Sequence, residues 1–276
     1  MSVLSRLWSF VRQLGTGLIN RKMLRYHLGE KFRGNWRQEG DDDFNWSRYS
    51  IHYQGELELG SRTRTLSIGP DDYKFEGGGL LHKSSQLPLH PNVHTIYETI
   101  LQLQPKSVLE VGCGGGDNLS NIHTLEPSLH LRGVDISPEQ LNLLTRRHPR
   151  FAGMVEPCDI TQPVSHITPA DLVFTQAVLM HIGINNGRWE RGIKNLFHLA
   201  NRQIVLMEYW PKHDYFALLS RLTPGTDIPW PSLHLYARPS VGRSSPTVLI
   251  ASRHQLTYEP LQNSEQLLIY RPQTTF

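Results

Sequence analysis

Residues 108–118 read Val108-Leu-Glu-Val-Gly-Cys-Gly-Gly-Gly-Asp-Asn118. Apolar Val108, Leu109 and Val111 run into glycines at 112, 114, 115 and 116, and a helical pattern takes over at Asn118. A strand that breaks into glycines and restarts as a helix lets a ligand approach the backbone closely, because glycine lacks a Cβ and accepts positive φ. A dinucleotide would ask for Gly-x-Gly-x-x-Gly, with its pyrophosphate on the helix N-terminus. Here the spacing is Gly112-x-Gly114-x-Gly116, and Asn118-Leu119 stand where the third glycine of that fingerprint would lie. Glu110, at the end of the strand, would repel a pyrophosphate. No Gly-Lys-Ser/Thr follows, which excludes a Walker phosphate loop. An acid at this point suits a ligand that carries an ammonium group and no phosphate.

Outward from the loop, short apolar runs alternate with helical stretches. Strands are predicted at Ser107–Val111, Leu129–Val134, Gly153–Glu156, Leu172–Thr175 and Gln203–Glu208, with helices at Asn118–Thr124, Pro138–Arg147 and Arg188–Leu199. That alternation marks an α/β fold with a parallel sheet. Upstream, His94, Tyr97, Ile100 and Leu101 repeat at helical spacing before Pro105. Downstream, Leu233–Ala237, Thr247–Ser252 and Leu267–Tyr270 have strand character, and two of the three would make a terminal antiparallel pair.

With these elements in place the chain resembles the class I S-adenosylmethionine (SAM) dependent methyltransferases, whose first motif is acid-x-Gly-x-Gly-x-Gly. Four stretches between Val93 and Glu208 carry the resemblance: Glu110 to Gly116, Gly133-Val-Asp135, Cys158-Asp159-Ile160, and Asp171 to His181. The resemblance implies a Rossmann-like seven-stranded sheet, mostly parallel with an antiparallel terminal strand, behind an N-terminal helical arm and cap. It implies SAM as cofactor, held by Glu110, Gly112, the backbone of Cys113, Gly114, Gly116, Asp135, Ile136, Asp159, Ile160 and Gln176. Asp135 would accept the ribose hydroxyls, as the equivalent acid does in dinucleotide sites. Asp159 would lie near the adenine amino group, and Asp171 would be a structural acid at the far end of the sheet. Residues 171–182 and 201–209 are also similar to methylases associated with bacterial surface-sugar (pseudaminic acid) biosynthesis, which makes a sugar or glycan precursor the leading substrate. Another small metabolite, or a SAM-binding subunit without turnover, is the competing reading.

Methyl transfer from a sulfonium depends chiefly on an in-line approach. A hydroxyl acceptor often needs a base, whereas an amine needs only to be neutral. His181 and Glu208 are the catalytic candidates. His181 has an unperturbed pKa near operating pH, although Val178–Ile182 also reads as the start of a helix under the cofactor. Glu208, followed by Tyr209-Trp-Pro211, is expected to face the substrate. No metal is expected, since His82, His90, His94 and His213 lack ligand spacing and an acid cluster.

Residues 1–40 hold eight basic residues against Glu30 and Glu39, a charge of +6, which leaves −3 on the rest of a chain whose total is +3. Leu4, Leu7, Trp8, Val11, Leu14 and Leu18 lie at helical spacing within this arm. It would rest on a membrane, on a partner or dimer mate, or on the protein's own core. Residues 41–91 read as a strand-containing cap ending in a flexible joint at Gly77–Gly79, and 92–276 as the cofactor domain. Asp41–Asp43, Asp71 and Asp72 beside the cap's aromatics speak against a nucleic-acid face. Two cysteines cannot build a disulfide scaffold. No apolar run reaches the roughly 18 residues of a membrane span. The expected setting is cytoplasmic, or peripheral to the inner face of the membrane.

Overall fold

A computed structural model describes residues 57, 64–240 and 247–268. The arm 1–40, most of the cap before residue 64 and the last eight residues lie outside the described part.

The first described elements are two short strands, β1 (Tyr73–Glu76) and β2 (Gly79–His82), paired antiparallel with Glu76 opposite Gly79. Gly77 and Gly78, expected to be a flexible joint, are instead the two-residue turn between them. Both have positive φ (60° and 79°), the combination a tight hairpin requires. The hairpin lies along helix α1 (Pro91–Leu103): Glu98 accepts the Leu80 N–H (2.6 Å), and His94 Nε2 meets the Leu80 carbonyl (2.7 Å). It is docked on α1, not hung from a hinge.

After α1 come β3 (Ser107–Val111), α2 (Asp117–Leu125), β4 (His130–Asp135), α3 (Pro138–Arg147), β5 (Val155–Pro157) and β6 (Ala170–Gln176). Next are α4 (Arg188–Leu199), β7 (Ala200–Met207), α5 (Tyr215–Ser220), β8 (His234–Arg238), β9 (Val248–Ser252), β10 (Glu259–Pro260) and α6 (Glu265–Leu268). Strands β3 to β10 form one sheet in the order β10-β8-β9-β7-β6-β3-β4-β5. The pairs β3–β4, β3–β6, β4–β5 and β6–β7 are parallel, and β9 is antiparallel to both β7 and β8. The expected antiparallel element is therefore β9, inserted between β7 and β8. The two-residue β10 adds an eighth strand to the seven expected. The third candidate does not contribute: Glu265–Leu268 is a helical turn, so a strand at Leu267–Tyr270 is not formed in its described part.

Both faces of the sheet are covered. One apolar cluster joins α1, α2 and α3 through Ile96, Ile100, Ile122 and Leu144, and the other joins α4 and α5 through Ile193, Phe197 and Leu218. Leu172, Val173 and Phe174 of β6 are all fully buried, the unbroken apolar run of a strand sandwiched between two helical layers. The chain leaves β3 for β4 on one side and later returns to place β6 on the other. This reversal opens a crevice beyond the C-terminal ends of the strands, where α/β sheets bind ligands.

Candidate cofactor site

The quoted loop sits at that reversal. Gly112, Gly114 and Gly116 all have positive φ (77°, 48° and 83°). A Cβ on Gly112 would come 2.3 Å from Val178 Cγ2, and one on Gly116 would come 2.5 Å from Leu144 Cγ. These two glycines therefore serve packing as well as backbone conformation. The N–H groups of Gly112 and Cys113 both donate to the Val134 carbonyl (2.7 and 3.0 Å), which ties the loop to β4. Arg147, in the last turn of α3, closes it from outside by donating to the Gly115 carbonyl (2.8 Å) and to both carboxylate oxygens of Asp117.

Asp135 ends β4 and lies against the loop. Its Oδ2 accepts the Gly114 N–H and its Oδ1 the Ser137 N–H, each at 2.8 Å. Burial pushes its pKa up, against the pull of those two N–H groups. Each oxygen keeps a lone pair, so the pair can still accept two hydroxyls. Ile136, next in sequence, is 46% exposed, an apolar side chain set beside the acid where a flat ring could rest.

Glu110 is 2% exposed. Its Oε1 accepts from Asn118 Nδ2 (2.7 Å), and its Oε2 is buried with no hydrogen-bond partner among the described residues. Burial drives its pKa well up, and the charges of Asp135 and Asp117 push the same way. A buried carboxylate oxygen without a donor is costly. A ligand ammonium would supply the donor and the opposite charge, so this atom fits the amino group of SAM, as the ribose-sized acceptor pair on Asp135 fits its sugar.

The other expected site residues divide. Asp159 follows β5, with Oδ1 accepting from the Thr161 N–H and hydroxyl (2.9 and 2.8 Å) and Oδ2 3.9 Å from Arg188. Ile160 is packed in the core, so only its backbone can meet a ligand. Gln176, at the end of β6, accepts from Asn118 through Oε1 (3.2 Å) and so joins Glu110. Cys113 is buried, and burial raises its thiol pKa well above the usual range. Asp171 accepts the Lys106 N–H (2.9 Å) at the opposite end of the sheet, a structural contact.

The two catalytic candidates have different settings. His181 is half-buried in a single 3-10 turn, Leu179–His181, where a longer helix was expected. Glu208 does not face a substrate. It is 2% exposed, accepting from the Thr175 hydroxyl (2.7 Å) and Val178 N–H (3.2 Å) at Oε1 and from the Met180 N–H (3.1 Å) at Oε2. It is the buttress of the turn that carries His181 and of Val178, the side chain covering Gly112. Between them Ala177 takes φ +55°, a costly conformation for a residue with a Cβ, and is exposed at the mouth.

Sequence reasoning missed Tyr97, Asn118, Asn121 and Arg147. Each acts through a partner on another element, and no local spacing announces such a contact.

Residues 109–203 match the family model described as a methyltransferase domain. The fold is that of the Rossmann-like methyltransferases. A TehB-like SAM-dependent methyltransferase from Corynebacterium glutamicum aligns over 75% of this chain and 99% of its own, at 14% identity and a TM-score of 0.50. The magnesium protoporphyrin IX methyltransferase ChlM of Synechocystis, solved with bound SAM, aligns over 59% of this chain and 78% of its own, at 17% identity and a TM-score of 0.44. No curated protein sequence matches the chain. The cofactor of a domain of this description is SAM, and Glu110, the glycine loop and Asp135 fit it. Among the described residues no helix is long and apolar enough to cross a membrane, and no three His, Cys, Asp or Glu side chains gather as a metal site.

Proposed function

We propose that the protein is a SAM-dependent methyltransferase. The observation that carries this reading is the buried, unpartnered Oε2 of Glu110 beside a glycine loop and Asp135, at the crevice of a sheet whose central segment matches a methyltransferase domain. The bound sulfonium supplies an already activated methyl group. Asp135 would hold the ribose hydroxyls, Glu110 the ammonium, and Ile136 and Asp159 the adenine. The ends of β6 and β7 then form the acceptor side, where Ile184 and Tyr209 are 64% and 51% exposed. A hydroxyl acceptor would pass its proton to His181. Glu208 acts indirectly, by fixing the turn that carries that imidazole.

The acceptor we favour is a sugar or glycan precursor. Its support is the likeness of residues 171–182 and 201–209 to surface-sugar methylases. Contact of residues 1–40 with a lipid surface, a partner or a second copy is the companion proposal, and its basis is the basic, amphipathic pattern of that arm.

Calorimetry with SAM and S-adenosylhomocysteine is the first test. Wild type should bind both, and Asp135→Ala should lose most of the affinity. Failure of wild type to bind either compound would sink the reading. Methyl transfer assayed against nucleotide sugars and cell-envelope extracts then decides the acceptor class.

A further inference from the structure

A chain of buried and half-buried side chains runs from the backbone beyond α1 and α2 to the carboxylate of Glu110, and every hydrogen bond in it has a fixed direction. It begins at Asn121 on α2, which is 2% exposed. Asn121 Oδ1 accepts the Ile68 N–H (3.1 Å), and Asn121 Nδ2 donates to the Leu66 carbonyl (2.9 Å). One partner can only donate and the other can only accept, so the amide cannot be reversed. Its Nδ2 also donates to the hydroxyl of Tyr97 (3.1 Å), on α1. The hydroxyl, having accepted, spends its own proton on Asn118 Oδ1 (2.9 Å). Asn118 must therefore turn its NH2 group the other way, where Nδ2 donates to Glu110 Oε1 (2.7 Å) and Gln176 Oε1 (3.2 Å).

The order set at Leu66 and Ile68 thus arrives at Glu110 as an N–H donor. Were the Asn118 amide reversed, its carbonyl would face the carboxylate and repel it. With the donor in place, Oε1 is satisfied inside the protein and Oε2 is the oxygen left for a ligand. We infer that Tyr97, Asn118 and Asn121 are positioning residues for cofactor binding, forming a one-way relay that holds the Glu110 carboxylate ready for the ammonium group of SAM. The inference rests on the cofactor reading above and goes beyond it. It assigns a function to residues 66–68 and to Tyr97 of α1, which lie outside the expected ligand set.

The relay also bears on ionisation. The titratable groups facing Glu110 are Tyr97 on α1, Asp117 on α2, Asp135 at the end of β4 and Cys113 in the loop. Asp117 and Asp135 disfavour its charge, as does burial, while the Asn118 amide favours it. A carboxylate that loses such a donor takes up a proton at higher pH.

The test compares two ligands. S-Adenosylhomocysteine carries the amino-acid ammonium, whereas 5′-methylthioadenosine keeps the adenosine and lacks it. Tyr97→Phe keeps the ring and deletes the hydroxyl. Its dissociation constant for S-adenosylhomocysteine should rise roughly tenfold or more, with that for methylthioadenosine unchanged. The pH below which S-adenosylhomocysteine binding fails should move upward. Asn118→Asp, nearly isosteric, replaces the donor with an acceptor facing Glu110 and should show a larger loss confined to the same ligand, which keeps the test open if Tyr97→Phe does not fold. Equal losses for both ligands would mean a merely structural role and overturn the relay, as would no loss for either. If wild type binds neither ligand, the cofactor reading fails and the relay with it.

Discussion

Glu110 and Glu208 are both glutamates at the end of a parallel strand, both 2% exposed, and both pushed up in pKa by burial. Their partners separate them. Glu208 is filled by donors on its own chain, among them Thr175, Val178 and Met180, whereas Glu110 has one oxygen spare. A saturated carboxylate has no place for a further donor, whereas a buried oxygen without a partner calls for one. Glu208→Gln sharpens the contrast, because the new NH2 group must face an N–H or a hydroxyl that now lacks its acceptor. We expect a loss of roughly 1–3 kcal/mol, the cost of an unsatisfied buried polar group, measured by denaturant unfolding. Methyl transfer should fall through displacement of the 177–182 turn, with the shape of its pH profile preserved. A pH profile that loses a limb would return Glu208 to the chemistry. The sequence could not distinguish the two acids, since both present as a strand-end glutamate and the distinguishing donors come from Thr175, Val178, Met180 and Asn118.

At the scale of elements, legibility followed local signals. Helix Pro138–Arg147 has the predicted bounds because Ser137 caps it, accepting the Gln140 N–H (3.3 Å), and Pro138 occupies its first turn. Strand Ser107–Val111 and helix Arg188–Leu199 also match their predicted limits. The misreadings fall where the local signal was ambiguous: a pair of glycines serves a hairpin turn as well as a hinge, and the short apolar run after Glu265 fits a helical turn as well as a strand. The spacing of the glycine loop points to its ligand, while part of its constraint is packing, Gly116 against α3. Gly116→Ala measures that packing. Its Cβ would meet Leu144 at 2.5 Å with φ at +83°, whereas Gly153, at φ +78°, has nothing within 4 Å of its would-be Cβ. Gly153→Ala should cost about 1–2 kcal/mol for backbone conformation alone. Gly116→Ala should cost about 1–3 kcal/mol more for overpacking. Equal costs in denaturant unfolding would show that Leu144 yields freely and that the loop is not wedged against α3.

At the scale of the whole molecule, the sheet order places three buried acids, Glu110, Asp135 and Glu208, along one edge of the core, each with its pKa raised by burial. The placing of these acids at strand ends was legible, since the motifs close successive predicted strands. Its energetic consequence was not, because burial is a property of the assembled layers. A carboxylate whose folded pKa is raised binds its proton more tightly in the folded state than in the unfolded chain. Its contribution to stability is fully present below the unfolded value, near 4, and is lost as pH rises through the folded value. The ligand-free protein should therefore lose stability as pH rises from the ordinary carboxylate range through the raised values of these groups. Glu110→Gln removes one of these groups, so its melting temperature should fall less steeply over that window and equal or exceed that of wild type at neutral pH. S-Adenosylhomocysteine should reverse the ranking: at about a hundredfold over its dissociation constant it adds about 2.7 kcal/mol to wild type, and much less to Glu110→Gln, which has no carboxylate for the ammonium. Melting curves in a pH series, with and without the ligand, carry the whole comparison. Parallel pH dependences for wild type and Glu110→Gln without ligand would show that Glu110 is not held at a cost, and the crevice would then have no charge waiting for a partner.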